Sequence, residues 1–556
     1  MNKRLIIAIV LASFCNFLFS QSTVQQNDHF EISKNLEIFS SVYKTVYENY
    51  VDEPNTGELM RIGIDAMLKS LDPYTEYKSS SEIEDFRFMA TGQYGGIGAL
   101  IQQQGDFVVI SEPYKGFPAD KAGLKAGDKI LKIEDKDVKG KTSSEVSELM
   151  KGEPNTKFKI TVERYNNDKP LEFDLIREKV SIPSVTHYEV LEDNIGYIYL
   201  SGFTANASGE VLEAYNNMQK ETKLEGLILD VRSNGGGLLQ EAVNIINLFV
   251  PKDELIVSTK GRENRKNSIY KTTKNPVNTD IPLVVLINGA SASASEILSG
   301  SIQDLDRGVI IGQRSFGKGL VQNILPTAYN SQVKVTISKY YIPSGRCIQA
   351  IDYSHKDKDG NWTKVPDSLM TSFSTRNGRT VYEGAGIDPD INIEIPDAGE
   401  ISTNLFINHH FFNFATKFYY ENIDLNPDPK TFEITDEIWN SFVDYLKDVD
   451  FEYTTSIEKQ FERFQENLKK EKYYDSLEDA VKEFSKNLEK TKNLDLDTYR
   501  DRIEYLLGTE IITRYDYNYG RIIYALRHDE EVDTAIEVLK DKKRYNDILT
   551  NTNKKD

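Results

Sequence analysis

The sequence predicts a multidomain α+β protein whose elements are segregated along the chain: helices, a small β-rich domain, an α/β layered core, then helices again. Three observations predict it. Apolar residues recur at helical spacing near both ends of the 556-residue chain. Short strands punctuated by glycine crowd residues 93–180. Between residues 181 and 400, apolar strands alternate with helical segments, the pattern of an α/β layer fold.

The amino terminus is read first. Lys3 and Arg4 precede an apolar run, Leu5–Phe19, too short to span a bilayer comfortably, and Ser20 is a small residue before Gln21. Residues 1–20 therefore read as a secretory signal peptide, and the mature chain as an exported protein of the periplasm or cell envelope. Cys15 raises a lipoprotein alternative, but Phe14 before it suits a lipid-attachment box badly. With the signal removed, Cys347 is the single remaining thiol, so no internal disulfide is expected. A net charge of −20 discounts a nucleic-acid partner, which would call for a basic face.

Residues 21–92 form the helical entry. Leu36, Phe39, Val42, Tyr43 and Val46 share one helical face, Ile62, Ile64, Met67 and Leu68 another, and Leu71-Asp72-Pro73 ends the run. Residues 93–180 open on 94-YGGIG-98, a glycine-rich turn into the strand Ala99–Ile101. The strand Phe107–Ile110, a short helix, a helix over Thr142–Met150 and a strand over Lys157–Arg164 follow.

In residues 181–400, the strand Leu227–Val231 ends in 232-RSNGGG-237, and the strand Leu283–Ile287 ends in 288-NGASASASEI-297. Both loops lie at carboxyl ends of strands, where α/β folds place their sites. Residues 401–556 are charged and helical in pattern, read as an accessory domain with a solvated face, or as a segment that caps the core or docks an oligomer or adaptor. Ser476-Leu477-Glu478-Asp479 reads as a capping box there.

One stretch invites a different reading. In 312-GQRSFGKGL-320 the spacing of Gly312, Gly317 and Lys318 approaches a phosphate loop. Gly319 stands where the Mg²⁺-binding Ser or Thr belongs, and the chain continues as a strand instead of a helix. A lysine can instead activate a serine, provided desolvation lowers its pKa from about 10.4. The flanking glycines and the apolar Phe316 and Leu320 make a buried Lys318 plausible. None of the six histidines lies in these loops, so a Ser-His-Asp triad is not indicated, and no pair has metal-ligand spacing. No cofactor is called for.

The order of elements over 93–180 closely resembles a PDZ domain. The chain over roughly 35–395 is similar to the carboxyl-terminal processing peptidases, or tail-specific proteases. The resemblance rests on 71-LDPYTEY-77, Asp230, Arg232, 234-NGGG-237, the S-A-S-A-S-E-I turn, F-G-K-G twenty-five residues later, 341-YIPSGRCIQ-349 and 384-GAGIDPD-390. It implies a serine protease core of crotonase-like layered α/β fold at 181–400. It also implies Ser293 as nucleophile, Lys318 as general base, and Gln322 as the residue orienting Lys318. The amides of Ala294 and of Gly236 or Gly237 would form the oxyanion hole. By composition alone Ser291 and Ser295 are rival nucleophiles; only the family register selects Ser293. Glu296 and Asp304 are read as structural supports. Tyr94, Gly95, Gly96, Ile97 and Gly98 would bind the carboxylate of a substrate's apolar C-terminal tail, with backbone amides forming an anion nest and the peptide adding a strand. The implied activity is serine endopeptidase, gated by the PDZ domain. The alternatives are an inert PDZ-bearing envelope scaffold and an acyl-CoA enzyme of the crotonase type.

Overall fold

The computed structural model describes residues 29–79, 92–262, 267–358, 360–366, 368, 370–394, 398–449 and 451–550. The signal-peptide reading of 1–20 lies outside them. The chain divides into two units. The smaller comprises described residues 29–77 with 324–327 and 332–335. Its helices span 29–49 and Thr56–Lys69. Asn55 caps the second, accepting from the Glu58 N–H, and the Tyr43 hydroxyl donates to Thr56 O at 2.7 Å. Asp72 then accepts from the backbone N–H groups of Tyr74 and Thr75, each at 2.8 Å, which turns the chain out of the helix.

The larger unit holds the rest. Its first part is a β-rich domain whose main sheet runs in the order Ala99–Gln104, Phe107–Pro113, Lys129–Ile133, Lys157–Glu163 and Leu171–Ile176. Alternate residues of these strands, among them Val108, Ile110, Ile130, Phe158 and Ile160, bury one face against Val146 and Met150 of the helix Ser143–Met150. Thr142 and Glu145 close a capping box on that helix. The strand Ala99–Gln104 ends the sheet and is its edge.

The core is a six-stranded sheet. Its order is Val185–Val190, Ile195–Leu200, Gly226–Asp230, Leu283–Ile287, Val309–Gly312 and Ile391–Asn392; the first pair is antiparallel and the rest parallel. Parallel strands buried on both faces must be apolar at every position, and the 283–287 run, LVVLI, is buried throughout. Ile198, Leu227, Leu229, Val285 and Ile310 face the helices Ala207–Glu221, Leu239–Phe249 and Ala294–Asp304.

The opposite face departs from the accessory-domain reading. Tyr197, Ile228, Val284, Leu286 and Ile311 pack against Val532, Ala535, Val538, Leu539 and Tyr545, from the last two helices, Glu530–Lys540 and Lys542–Thr550. The end of the carboxyl-terminal extension is thus a layer of the core, not an accessory with only a solvated face. The Tyr545 hydroxyl accepts from the Leu283 N–H at 2.9 Å, fixing that layer to the sheet. Residues 401–511 build a separate aromatic core around Phe411, Phe414, Trp439 and Phe442. The capping box expected at 476–479 is absent, because its helix begins at Tyr474 and Ser476 Oγ bonds back to Tyr473 O. No described helix is long and apolar enough to cross a membrane.

Candidate active site

Three loops at carboxyl ends of core strands converge. The first follows the strand Leu283–Ile287 and carries Ser291, Ser293 and Ser295. Ser291 is fully buried and its Oγ donates to Val231 O at 2.8 Å. Ser295 is equally buried and its Oγ donates to Asn234 O at 2.8 Å. Ser293 is only half-buried, and its backbone holds φ 58°, ψ −111°, a conformation costly for a side-chain-bearing residue. Such a strained strand-to-helix turn is how a nucleophile is pushed out of a fold, at the start of a helix. The helix Ala294–Asp304 follows directly.

The second loop carries Lys318. Its link to Ser293 is Glu296, one turn into that helix and fully buried. Glu296 Oε2 accepts from the backbone N–H groups of Ser293 at 2.8 Å and Lys318 at 2.9 Å. Oε1 accepts from Gly317 N–H and Ser315 Oγ, both at 2.6 Å. Burial pushes the Glu296 carboxyl above the ordinary carboxylate range, against the pull of these four hydrogen bonds. On the carbonyl side, the buried Tyr340 hydroxyl contacts Ser293 O at 3.1 Å and also Lys318 O. One carboxylate and one phenol therefore fix both residues' backbones from opposite sides. Lys318 is half-buried, between a buried Leu320 and a Phe316 that is 46% exposed, so the desolvating wall expected from Phe316 is incomplete. The Gln322 side-chain amide donates to Thr336 Oγ1 at 3.2 Å. That bond holds the amide plane and leaves its Oε1, the atom that would accept from a lysine Nζ, outside it.

The third loop is 232-RSNGGG-237. A Cβ on Gly236 would lie 2.8 Å from Ser293 Cβ and 3.0 Å from Ala294 N, so only glycine allows this approach. The Gly236 N–H donates to Asn234 Oδ1 at 2.9 Å. That amide is engaged within its own loop, whereas the N–H of the other candidate, Gly237, makes no such bond among the described residues. Asn234 anchors the loop further: its Nδ2 donates to Leu200 O at 2.7 Å, and its carbonyl accepts from Ala292 N–H at 3.0 Å. Beside the loop lies a cavity of about 610 Å³ lined by Asp230, Arg232, Asn518, Arg521 and Asp529 among others.

The groove of the β-rich domain is apolar and about 230 Å³, lined by Tyr94, Gly96, Ile97, Leu100, Ile101 and Met150. It runs beside the open edge of Ala99–Gln104. Of the five residues expected in the carboxylate loop, Tyr94, Gly95 and Gly96 belong to a strand, Gln93–Gly96, paired with Glu178–Ser181. Only Ile97 and Gly98 lie in the connection that leads to the edge strand. The amides of Gly98 and of Ala99, which the sequence reading omits, donate to the Tyr94 hydroxyl, whose pKa burial raises.

Comparison with known proteins agrees with this layout. Residues 194–355 match the family model described as Peptidase family S41, residues 109–164 that of a PDZ domain, and residues 401–539 that of "Probable PDZ-protease, C-terminal helical domain". The "Carboxy-terminal-processing protease" of Bartonella bacilliformis is 36% identical over 348 residues, covering 62% of this chain and 79% of its own. A "Probable CtpA-like serine protease" of Staphylococcus aureus is 30% identical over 409 residues, covering 72% of this chain and 69% of its own. Among solved structures, a photosystem II D1 C-terminal processing protease is similar at 27% identity with a TM-score of 0.35, covering 64% of this chain and 92% of that one.

Proposed function

The chain belongs to the carboxy-terminal-processing proteases of peptidase family S41, and on that premise we propose which of its residues carry the reaction. It is a serine-type endopeptidase with a PDZ domain that recognises protein substrates by their C-terminal tails. The proposal begins at the residues. Ser293 Oγ attacks the scissile carbonyl carbon while neutral Lys318 Nζ takes its proton. The C–N bond breaks and the leaving amine takes that proton back, leaving an ester on Ser293. Water, deprotonated by Lys318, then attacks the ester and releases a new carboxyl terminus. The amides of Ala294 and Gly237 stabilise the oxyanion in both steps.

The observation that carries the reading is the contrast among the three serines: Ser291 and Ser295 are buried and hydrogen-bonded to backbone, while strained Ser293 shares Glu296 with Lys318. A tail carboxylate would take the place of the Tyr94 hydroxyl on the Gly98 and Ala99 amides, and Leu100, Ile101 and Met150 give the groove its preference for apolar tails. A bound tail activates the core through differential affinity for two arrangements of the PDZ domain. Lys3, Arg4 and the apolar run after them support export to the periplasm or cell envelope.

The test uses residues 21–556 and an unfolded reporter with an apolar or a charged tail. Wild type should cut the apolar-tailed reporter faster, and Ser293→Ala and Lys318→Ala should both be inactive. Near wild-type cleavage by Lys318→Ala would remove Lys318 from the reaction. Tail binding without cleavage by wild type would favour the scaffold.

A further inference from the structure

The catalytic glycine loop is gripped from behind by the far end of the chain. Arg232, its first residue, donates from Nη1 and Nη2 to the two carboxylate oxygens of Asp529, at 2.9 and 2.7 Å. Nη1 also contacts Glu531 Oε2, and the Gln313 amide holds the other oxygen of Glu531. Asp529 at the same time caps the helix Glu530–Lys540, accepting from Glu531 and Val532 N–H at 3.1 Å. That helix is pinned to the core sheet by Val532, Ala535, Val538 and Leu539.

Arg232 does not need these partners to be neutralised. Asp230, two residues earlier, already accepts from its Nε at 3.0 Å and receives the Tyr197 hydroxyl at 2.7 Å. Two further carboxylates surround this largely buried guanidinium, and Arg502 and Arg521 line the same cavity. Burial and the neighbouring Asp529 push the Glu531 carboxyl upward. What the extra pair adds is direction: it fixes the guanidinium, and with it residue 232, against an element rigidly seated on the sheet.

We propose that Asp529 and Glu531 are positioning residues for proteolysis, holding Arg232 so that the 232–237 loop keeps its oxyanion-binding geometry. This rests on the assignment of that loop to the oxyanion hole. The carboxyl-terminal extension is then part of the catalytic unit. It also touches the tail-binding domain, through Tyr517 to Asp120 at 2.6 Å and Arg521 to Glu112 at 3.5 Å.

The test compares full-length wild type, Asp529→Asn/Glu531→Gln, and Met218→Ala, which hollows the packing of the helix Ala207–Glu221 on the other face of the sheet. The readouts are kcat and KM on the apolar-tailed reporter, binding of a decapeptide with an apolar C-terminal residue, and thermal unfolding. The double variant should lose kcat by about tenfold or more, the scale of a slightly misplaced catalytic group, with KM and peptide binding within about twofold. Met218→Ala should lower Tm and leave kcat unchanged. The proposal is overturned if the double variant keeps wild-type kcat, or if Met218→Ala loses as much kcat at the same loss of Tm. Ser293→Ala run in parallel separates the two failures: if it still cleaves, the whole site assignment falls; if it is inactive while the double variant is fully active, only the positioning role falls.

Discussion

Around Ser293, backbone N–H groups from two loops end on a single buried carboxylate, and backbone carbonyls from the same two loops meet a single buried phenol. Along Ala99–Gln104 the situation is reversed: a strand at the edge of its sheet borders an apolar groove of about 230 Å³. The proposed reaction centre is over-determined, and the proposed recognition site is left incomplete. Each suits its task. A dyad gains rate from groups already held in place, whereas a tail that adds a strand needs unpaired backbone and room for a side chain. Substitutions at the first should therefore change turnover, and substitutions at the second should change affinity.

The largest effect should come from Glu296→Gln. It leaves the volume nearly unchanged but replaces an acceptor oxygen with a donor facing backbone N–H groups. Loss of the shared anchor should lower kcat by roughly 100-fold, with tail-peptide binding unaffected. Steady-state kinetics beside a peptide titration would separate the two; a change confined to KM would break the comparison. Tyr340→Phe removes only the carbonyl-side contact, so kcat should fall by about fivefold, since a hydrogen bond of this kind contributes on the order of 1 kcal/mol. Smaller still is Leu100→Ala, on an exposed side chain of the groove. It should raise KM by about three- to tenfold for the apolar-tailed reporter alone, as loss of a few methylenes does, with kcat unchanged. An equal rise for the charged-tailed reporter would mean that Leu100 does not read the tail.

Much of this was legible in the sequence because it is local. The alternation in the β-rich domain, the apolar strands 227–231 and 283–287, and the serine and lysine loops that follow core strands are all read within windows of a few residues. The parts that escaped are contacts across long separations. Nothing near Tyr340 announces that its hydroxyl would span Ser293 and Lys318. The acidic run at 529–531 looks like an ordinary helix start, although its partner lies almost 300 residues earlier, at Arg232. The second cover of the core sheet stays open in the sequence for the same reason: an all-apolar strand demands two faces of protein, but does not say which helices provide the second. Composition could not choose among Ser291, Ser293 and Ser295, whereas burial and backbone strain distinguish Ser293 at once.

The smallest prediction isolates burial as the variable. Asp352 resembles Glu296 in chemistry: its carboxylate accepts from Ser354 N–H at 2.9 Å, from Ser354 Oγ, and from His355 Nδ1 at 2.8 Å. Its pKa moves the opposite way, held down to about 2, chiefly by the Ser354 hydroxyl and then by His355, because an exposed hairpin imposes little desolvation against those bonds. A folded-state pKa below the unfolded value gives stability that is present above the ordinary carboxylate range and is lost as pH falls through about 2. At an exposed site solvent screens that contribution, so Asp352→Asn should cost no more than about 0.5 kcal/mol at neutral pH. A urea midpoint at pH 7 would measure it, and kcat should not change. A loss of activity comparable to that of Glu296→Gln would mean that accepting several donors, in or out of solvent, is what the fold requires of a carboxylate. Unchanged activity would mean that the donors must belong to the two loops bearing Ser293 and Lys318.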